Sequence, residues 1–282
     1  MTELQRIDLD LLKEISTLCE KHDIKYYAFG GTCLGAVRHK GYIPWDDDID
    51  IAMPRGEFNK FIAHAHELPE HVGVLMPENC VHFICGSIKV HDKRTTFIEN
   101  QFKQFPDRYC GVGLDIMPLD GMPEGEKKQK RHFEKCRWLL YFNNFYRNPA
   151  RRKSIRSRLF YLFLDTVALF AKHDFFYKKY YKCVTKYPFD DSETALHSAM
   201  VANPFDKKRS FPARFFKESV LLPFEDIMIS CPKDYDGYLS HYYGADYMTP
   251  PEKDGQIVHD TAIVDLEKPY TYYVDLKKQG LI

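Results

Sequence analysis

The stretch at residues 30–53, GGTCLGAVRHKGYIPWDDDIDIAM, constrains the chain more than any other. A glycine pair opens a short helical pattern. A glycine-containing loop follows, and then four aspartates ending in the alternation Asp48-Ile49-Asp50-Ile51. Successive side chains of a strand point to opposite faces. On that reading Asp48 and Asp50 share one face while Ile49 and Ile51 pack on the other. Two carboxylates side by side repel each other, so a positive partner is expected between them. Their hard oxygens suit a magnesium ion. The alternative, a solvated acidic loop, sits poorly with Ile49, Ile51, Ala52 and Met53, which ask for burial. A carboxylate at the mouth of a buried strand costs free energy unless it is paired or liganded.

Upstream, Leu4, Ile7, Leu11, Leu12, Ile15, Leu18 and Cys19 recur at helical spacing, predicting an amphipathic helix that ends near His22-Asp23. Residues 24–29 read as a strand running into Gly30-Gly31, where Thr32 could cap the next helix. Backbone N–H groups at such a helix start form an anion site. Downstream, Pro54-Arg55 open a helix carrying Phe58, Phe61, Ile62 and Ala65 on one side, and Pro69 ends it. Strands are expected at 72–76, 81–90, 95–98 and 112–117. The last contains a lone acid, Asp115, which is either a structural residue or a third carboxylate for the site.

From residue 124 three helical stretches follow, at 124–147, 150–172 and 175–186. The middle one is apolar nearly all round but is interrupted by Asp165 and is too short to span a bilayer. Its basic flank, Arg151 to Lys153 with Arg156 and Arg158, leaves two readings: a buried helix of a bundle or a peripheral contact with anionic lipid. Further on, residues 195–201 read as a strand, 220–229 as a pair of short ones, and 234–243 as a helix ending at Gly244. The segment after residue 270 has no reading.

Forty basic residues balance forty acidic ones, which argues against a nucleic-acid binder. The eight cysteines are scattered with no Cys-x-x-Cys pair, so spacing rules give no zinc site. The N-terminus lacks the apolar run of a signal peptide, and free thiols in a reducing cytoplasm are expected.

A glycine turn, two carboxylates on the next strand and a third on a later strand suit transfer chemistry at phosphorus, where the protein chiefly positions and stabilises. Asp115 could draw the proton from an attacking hydroxyl. Arg38, Lys40, Lys89 and Arg94 are candidate phosphate contacts.

These blocks resemble the LicD family: Gly30-Gly31-Thr32, then AVRHKGYIPWDDDIDIAMPR, then GLDIMPLDG, then YYGADYMTPP with a following histidine. The resemblance covers most of the chain and is weakest across the helical middle. It implies an α+β fold, a nucleotidyltransferase-like mixed sheet with flanking helices and a helical middle subdomain. The corresponding division is a catalytic core at 1–123, a helical subdomain at 124–190 and a C-terminal segment at 191–282 that completes the substrate site. The resemblance also implies transfer of a phospho-substituent from a CDP-linked donor to a sugar hydroxyl. The acceptor would be a lipid-linked glycan, a teichoic-acid or lipopolysaccharide precursor at the inner face of the plasma membrane. The cofactor would be Mg2+, with Mn2+ as a substitute.

Carried over by position, Asp48, Asp50 and Asp115 are the catalytic and metal-binding set. Gly30, Gly31 and Thr32, with Arg38, Lys89 and His259, are the substrate-binding candidates. Trp45 is read as packing rather than stacking on a base. Phosphocholine from CDP-choline is the favoured group. Ribitol phosphate or glycerol phosphate from a CDP-alditol, and nucleotide addition to a small molecule, are the alternatives. A binding module that kept only the fold is a further one. The donor head group, the acceptor and the oligomeric state stay open at this point.

Overall fold

In the computed structural model the described residues are 1–83, 86–147, 175–198, 201, 209–252 and 260–282. The first helix, α1 (Glu3–Lys21), begins where the sequence supplies a reciprocal cap: the Thr2 hydroxyl accepts from the Gln5 N–H, and the Gln5 side chain accepts from the Thr2 N–H. Its Leu11, Leu12, Ile15 and Leu18 are buried, so the stripe read from spacing is the packed face.

The chain then alternates short strands and helices: β1 (Tyr27–Ala28), α2 (Gly30–Arg38), β2 (Asp50–Pro54), α3 (Arg55–His64), β3 (Val72–Leu75), β4 (Ile88–Asp92), β5 (Thr96–Glu99) and β6 (Gly113–Gly121). Two helices follow, α4 (Glu126–Arg147) and α5 (Phe175–Val184). The last third contributes β7 (Thr194–His197), β8 (Ser210–Pro212), the hairpin β9 (Ser219–Phe224) with β10 (Ile227–Pro232), α6 (Tyr235–Tyr243), β11 (Thr261–Asp265) and α7 (Tyr270–Lys278).

The main sheet runs β1-β2-β6-β4-β3, with β7 added to β6 and β8 to β7. The β2–β6 pair is parallel, and every other pairing in the sheet is antiparallel. Elements of both kinds share one core, so the fold is α+β. Strands buried on both faces read as nearly continuous apolar runs, and β2 and β6 do so: Ile51, Ala52, Met53, Leu114, Ile116 and Leu119 are all buried. A smaller apolar cluster, with Phe133, Leu140, Tyr180 and Val184 among its members, sits under α4 and α5. No helix among the described residues is long and apolar enough to cross a membrane.

Several expectations shift. The strand read at 24–29 is ordered as sheet only at Tyr27–Ala28. The long strand read at 81–90 shortens to Ile88–Asp92. Thr32 does not cap α2: the helix begins at Gly30, and the Thr32 hydroxyl accepts from the Asp50 N–H at 2.8 Å. Asp48 lies just ahead of β2, not within it, although the Asp115 N–H donates to the Ile49 carbonyl and extends the pairing back by one residue. Asp234 caps α6 by accepting from the Gly237 N–H, and Gly244, at φ 107°, ends the helix. The unread C-terminal segment forms α7, and the segment before it gives β11, which pairs with β5. The helix read at 150–172 lies outside the described residues.

Candidate active site

The parallel register of β2 and β6 sets Asp50 directly beside Asp115. Two segments more than sixty positions apart thus deliver carboxylates to neighbouring points on two interior strands of the sheet. Asp48 stands two residues ahead of Asp50, and Ile49 between them is fully buried, so alternation turns both acids away from the core. Asp46, Asp47 and Asp48 bring carboxylate oxygens within 4.8 Å of one another. Burial, and next the Asp48 and Asp115 carboxylates, push the Asp50 carboxyl well above its ordinary value; Lys89 opposes them.

Lys89 reaches this cluster from β4, opposite Asp115 in the ladder, with Nζ 3.6 Å from Asp115 Oδ2. Burial works against the ammonium, but the Asp115 carboxylate, then Cys110, Asp8 and Glu99, outweigh it and hold Lys89 above its ordinary value. The Lys89 ammonium therefore neutralises Asp115 first.

One member of the cluster escaped the sequence reading. Asp8, on α1, is 1% exposed, and its Oδ1 has no hydrogen-bond partner among the described residues. Burial drives its carboxyl well up; Lys89 opposes, and Asp48, Asp47 and Asp115 reinforce. Asp8, Asp47, Asp48, Lys89 and Asp115 line a cleft of about 30 Å³. A space of that size admits a water molecule. The signal was present in the sequence: Asp8 lies four residues after Leu4 and four before Leu12, an acid on an apolar stripe.

The other face is made by the glycine turn. Gly30 takes φ 50°, a left-handed conformation natural to glycine, and its N–H donates to the Tyr238 hydroxyl at 2.9 Å. Gly31 has a different reason: a Cβ there would lie 2.5 Å from Asp46 Oδ2, so that carboxylate would have to shift away from the first turn of α2 to admit one. The aspartate loop is tethered to α1, because the Gln5 side chain donates to the Asp46 carbonyl at 2.7 Å and the Tyr42 hydroxyl donates to the Gln5 carbonyl at 2.7 Å. From α6 the Tyr243 hydroxyl stands near Gly30, 3.7 Å from where its Cβ would be; burial, and then Tyr242, Asp50 and Asp46, raise its pKa. Tyr243 is one of 19 tyrosines in the chain, and no motif in the sequence singles it out.

Arg38, at the last turn of α2, donates to the Tyr247 carbonyl at 2.9 Å, and Arg94 pairs with Asp92, so each already has a polar partner. Trp45 packs partly buried against the main core. His259 lies outside the described residues. The residues brought together are thus Asp8, Asp46, Asp47, Asp48, Asp50 and Asp115, with Lys89 as counter-charge and the start of α2 alongside. Asp48, Asp50 and Asp115 are the hard donors that could hold a divalent cation.

Residues 23–143, which carry both acidic strands and the glycine turn, match the family model described as LicD/FKTN/FKRP, nucleotidyltransferase domain. The chain is 30% identical over 276 residues to the lipopolysaccharide cholinephosphotransferase LicD of Haemophilus influenzae, covering 92% of this chain and 96% of that protein. A shorter match, 32% identical over 107 residues, links 35% of this chain to 33% of an uncharacterized protein of Rickettsia typhi. The 30% identity with the Haemophilus protein over nearly the whole of both chains, together with the family match across the acidic strands, makes this chain a member of the LicD family.

Proposed function

We propose that the chain is a Mg2+-dependent transferase that moves phosphocholine from CDP-choline to a sugar hydroxyl of a lipid-linked glycan precursor of the lipopolysaccharide or teichoic-acid kind. The observation that carries this reading is the side-by-side register of Asp50 and Asp115, with Asp48 two residues ahead and the α2 N-terminus alongside. The name of the Haemophilus relative supplies the group transferred and the class of acceptor.

Asp48, Asp50 and Asp115 would hold the magnesium ion, and its charge would offset that of the donor diphosphate. The raised Asp50 carboxyl and the Asp8 Oδ1, which has no hydrogen-bond partner among the described residues, fit that role, since both belong to a cluster richer in carboxylates than in cations. The start of α2, with its helix dipole, favours the phosphate end of the donor. Asp115 takes the proton of the attacking sugar hydroxyl, and Lys89 Nζ stands 3.6 Å from its Oδ2. The sugar oxygen then bonds to the choline-bearing phosphorus, the bond from that phosphorus to the bridging oxygen breaks, and CMP leaves. Work at the cytoplasmic face of the membrane follows from a nucleotide-linked donor.

Product analysis with labelled CDP-choline and labelled CTP, each with Mg2+ and a glycan acceptor, tests the reading. Release of CMP with label on the glycan supports it; pyrophosphate release from CTP, with nucleotide on the acceptor, would replace it by nucleotidyl transfer. A thermal-shift series with CDP-choline, CDP-ribitol, CDP-glycerol and CTP identifies the head group, because a ligand of the native state raises its apparent stability.

A further inference from the structure

The seam between α4 and α5 gathers a second set of ligating side chains that shares no residue with the carboxylate cluster. His132 and Cys136 stand four residues apart on α4 and so face the same way. Cys183 comes from the last turn of α5. Cys136 Sγ lies 3.3 Å from Cys183 Sγ and 3.7 Å from His132 Nε2, and one ligand atom from each of the three falls within 4.8 Å of the others. A tetrahedral zinc ion with Zn–S near 2.3 Å and Zn–N near 2.0–2.1 Å has ligand–ligand edges of roughly 3.5–3.8 Å. The spacing here is close to that figure before any metal draws the groups together.

The surroundings fit as well. Cys136 is fully buried in the smaller apolar cluster, while His132 and Cys183 keep 7% and 8% of their surface. A water would complete the four-coordinate set. The Cys136 thiol donates to Cys183 Sγ, and His132 Nε2 stands 3.7 Å from Cys136 Sγ. Thiolates and imidazole are the donors zinc prefers, and they do not suit magnesium.

We propose that His132, Cys136 and Cys183 bind one zinc ion between α4 and α5. The two cysteines are 47 positions apart, so the ion closes a long loop and fastens α5 to α4 beside the strand pair β6–β7. Sequence spacing could not reveal the site. Its ligands are an i,i+4 pair on one helix and a single cysteine on another, with no Cys-x-x-Cys between them.

The test uses the full chain purified under reducing conditions from zinc-supplemented cells. One zinc per chain is expected to survive desalting in excess Mg2+, and chelation is expected to lower the melting temperature. Replacement by Co2+ is expected to give tetrahedral d–d bands and a thiolate-to-cobalt charge-transfer band, which carboxylate ligands cannot produce. Cys183→Ser and, separately, His132→Gln are expected to lose the zinc and the charge-transfer band or weaken them strongly. The wild-type spectrum decides the matter even if a variant fails to fold. No retained zinc together with no charge-transfer band would overturn the proposal. So would zinc and cobalt signals unchanged in Cys183→Ser, or a Cys136–Cys183 disulfide in the reduced preparation.

Discussion

At the scale of single residues, Gly31 makes the sharpest case for the site. Its missing side chain is what lets Asp46 approach α2, with 2.5 Å between the would-be Cβ and Asp46 Oδ2. Gly31→Ala is therefore expected to displace that carboxylate and lower kcat by tenfold or more on the order expected for a shifted catalytic geometry. Gly56, in the first turn of α3, has nothing within 4 Å of its would-be Cβ, so Gly56→Ala is expected to leave kcat unchanged and to stabilise by about 0.5–1 kcal/mol. Turnover and thermal melts on the two variants check this contrast. The sequence displayed the glycine pair but not the reason for each member. Gly30 answers to backbone conformation and Gly31 to a neighbour fifteen positions away, and only the second depends on tertiary structure. Asp8 was legible in principle, as an acid on an apolar stripe. It was missed because one polar residue hardly disturbs a helical pattern, and because burial without a partner is a property of the fold.

At the scale of elements, the helices and strands that frame the site were largely readable. Apolar periodicity fixed α1 and α3, and glycine and proline marked the ends of α3 and α6. What the pattern could not supply was pairing. Nothing local says that β6 lies parallel to β2 with Asp115 against Asp50, or that α1 reaches across to hold the aspartate loop. Two contacts test this framing. Gln5→Ala removes the donor to the Asp46 carbonyl, and it is expected to cost about 1 kcal/mol in stability while lowering kcat by a larger factor than that loss would explain. Arg55, in the first turn of α3, makes a bidentate ion pair with Asp120 of β6 at 2.7 and 2.8 Å, and Asp120 is 1% exposed. Removing one partner of a buried pair strands the other charge, so Arg55→Ala is expected to cost about 3–5 kcal/mol by denaturant titration. Arg55→Lys is expected to recover only part of this, because an ammonium lacks the planar fork and the stacking over Phe58 and Tyr181.

For the whole molecule, the pH dependence of stability and the transfer reaction are the readouts. Burial pushes the His197 imidazole down to about 4, and neither ring nitrogen has a hydrogen-bond partner among the described residues. Burial, and then Lys89, likewise push His91 down to about 4, and its Nδ1 accepts from the Gly111 N–H, which requires a neutral ring. A histidine whose folded pKa lies below its unfolded value of about 6.5 favours the unfolded state once protons are available. The stability held by both rings is present above pH ~6.5 and is lost as pH falls toward about 4, at about 1.4 kcal/mol per pKa unit for each ring. Melting temperatures across that window are expected to fall steeply for the wild type and less steeply for His197→Phe. The central claim is that carboxylates from distant segments act together on a phospho-substituent. The measurement that tests it most directly is the rate of CMP release from CDP-choline, with acceptor and saturating Mg2+, for wild type and for Asp115→Asn folded to the same extent by circular dichroism. A fall in kcat of about a hundredfold or more is expected. A rate within a few-fold of wild type would contradict the account.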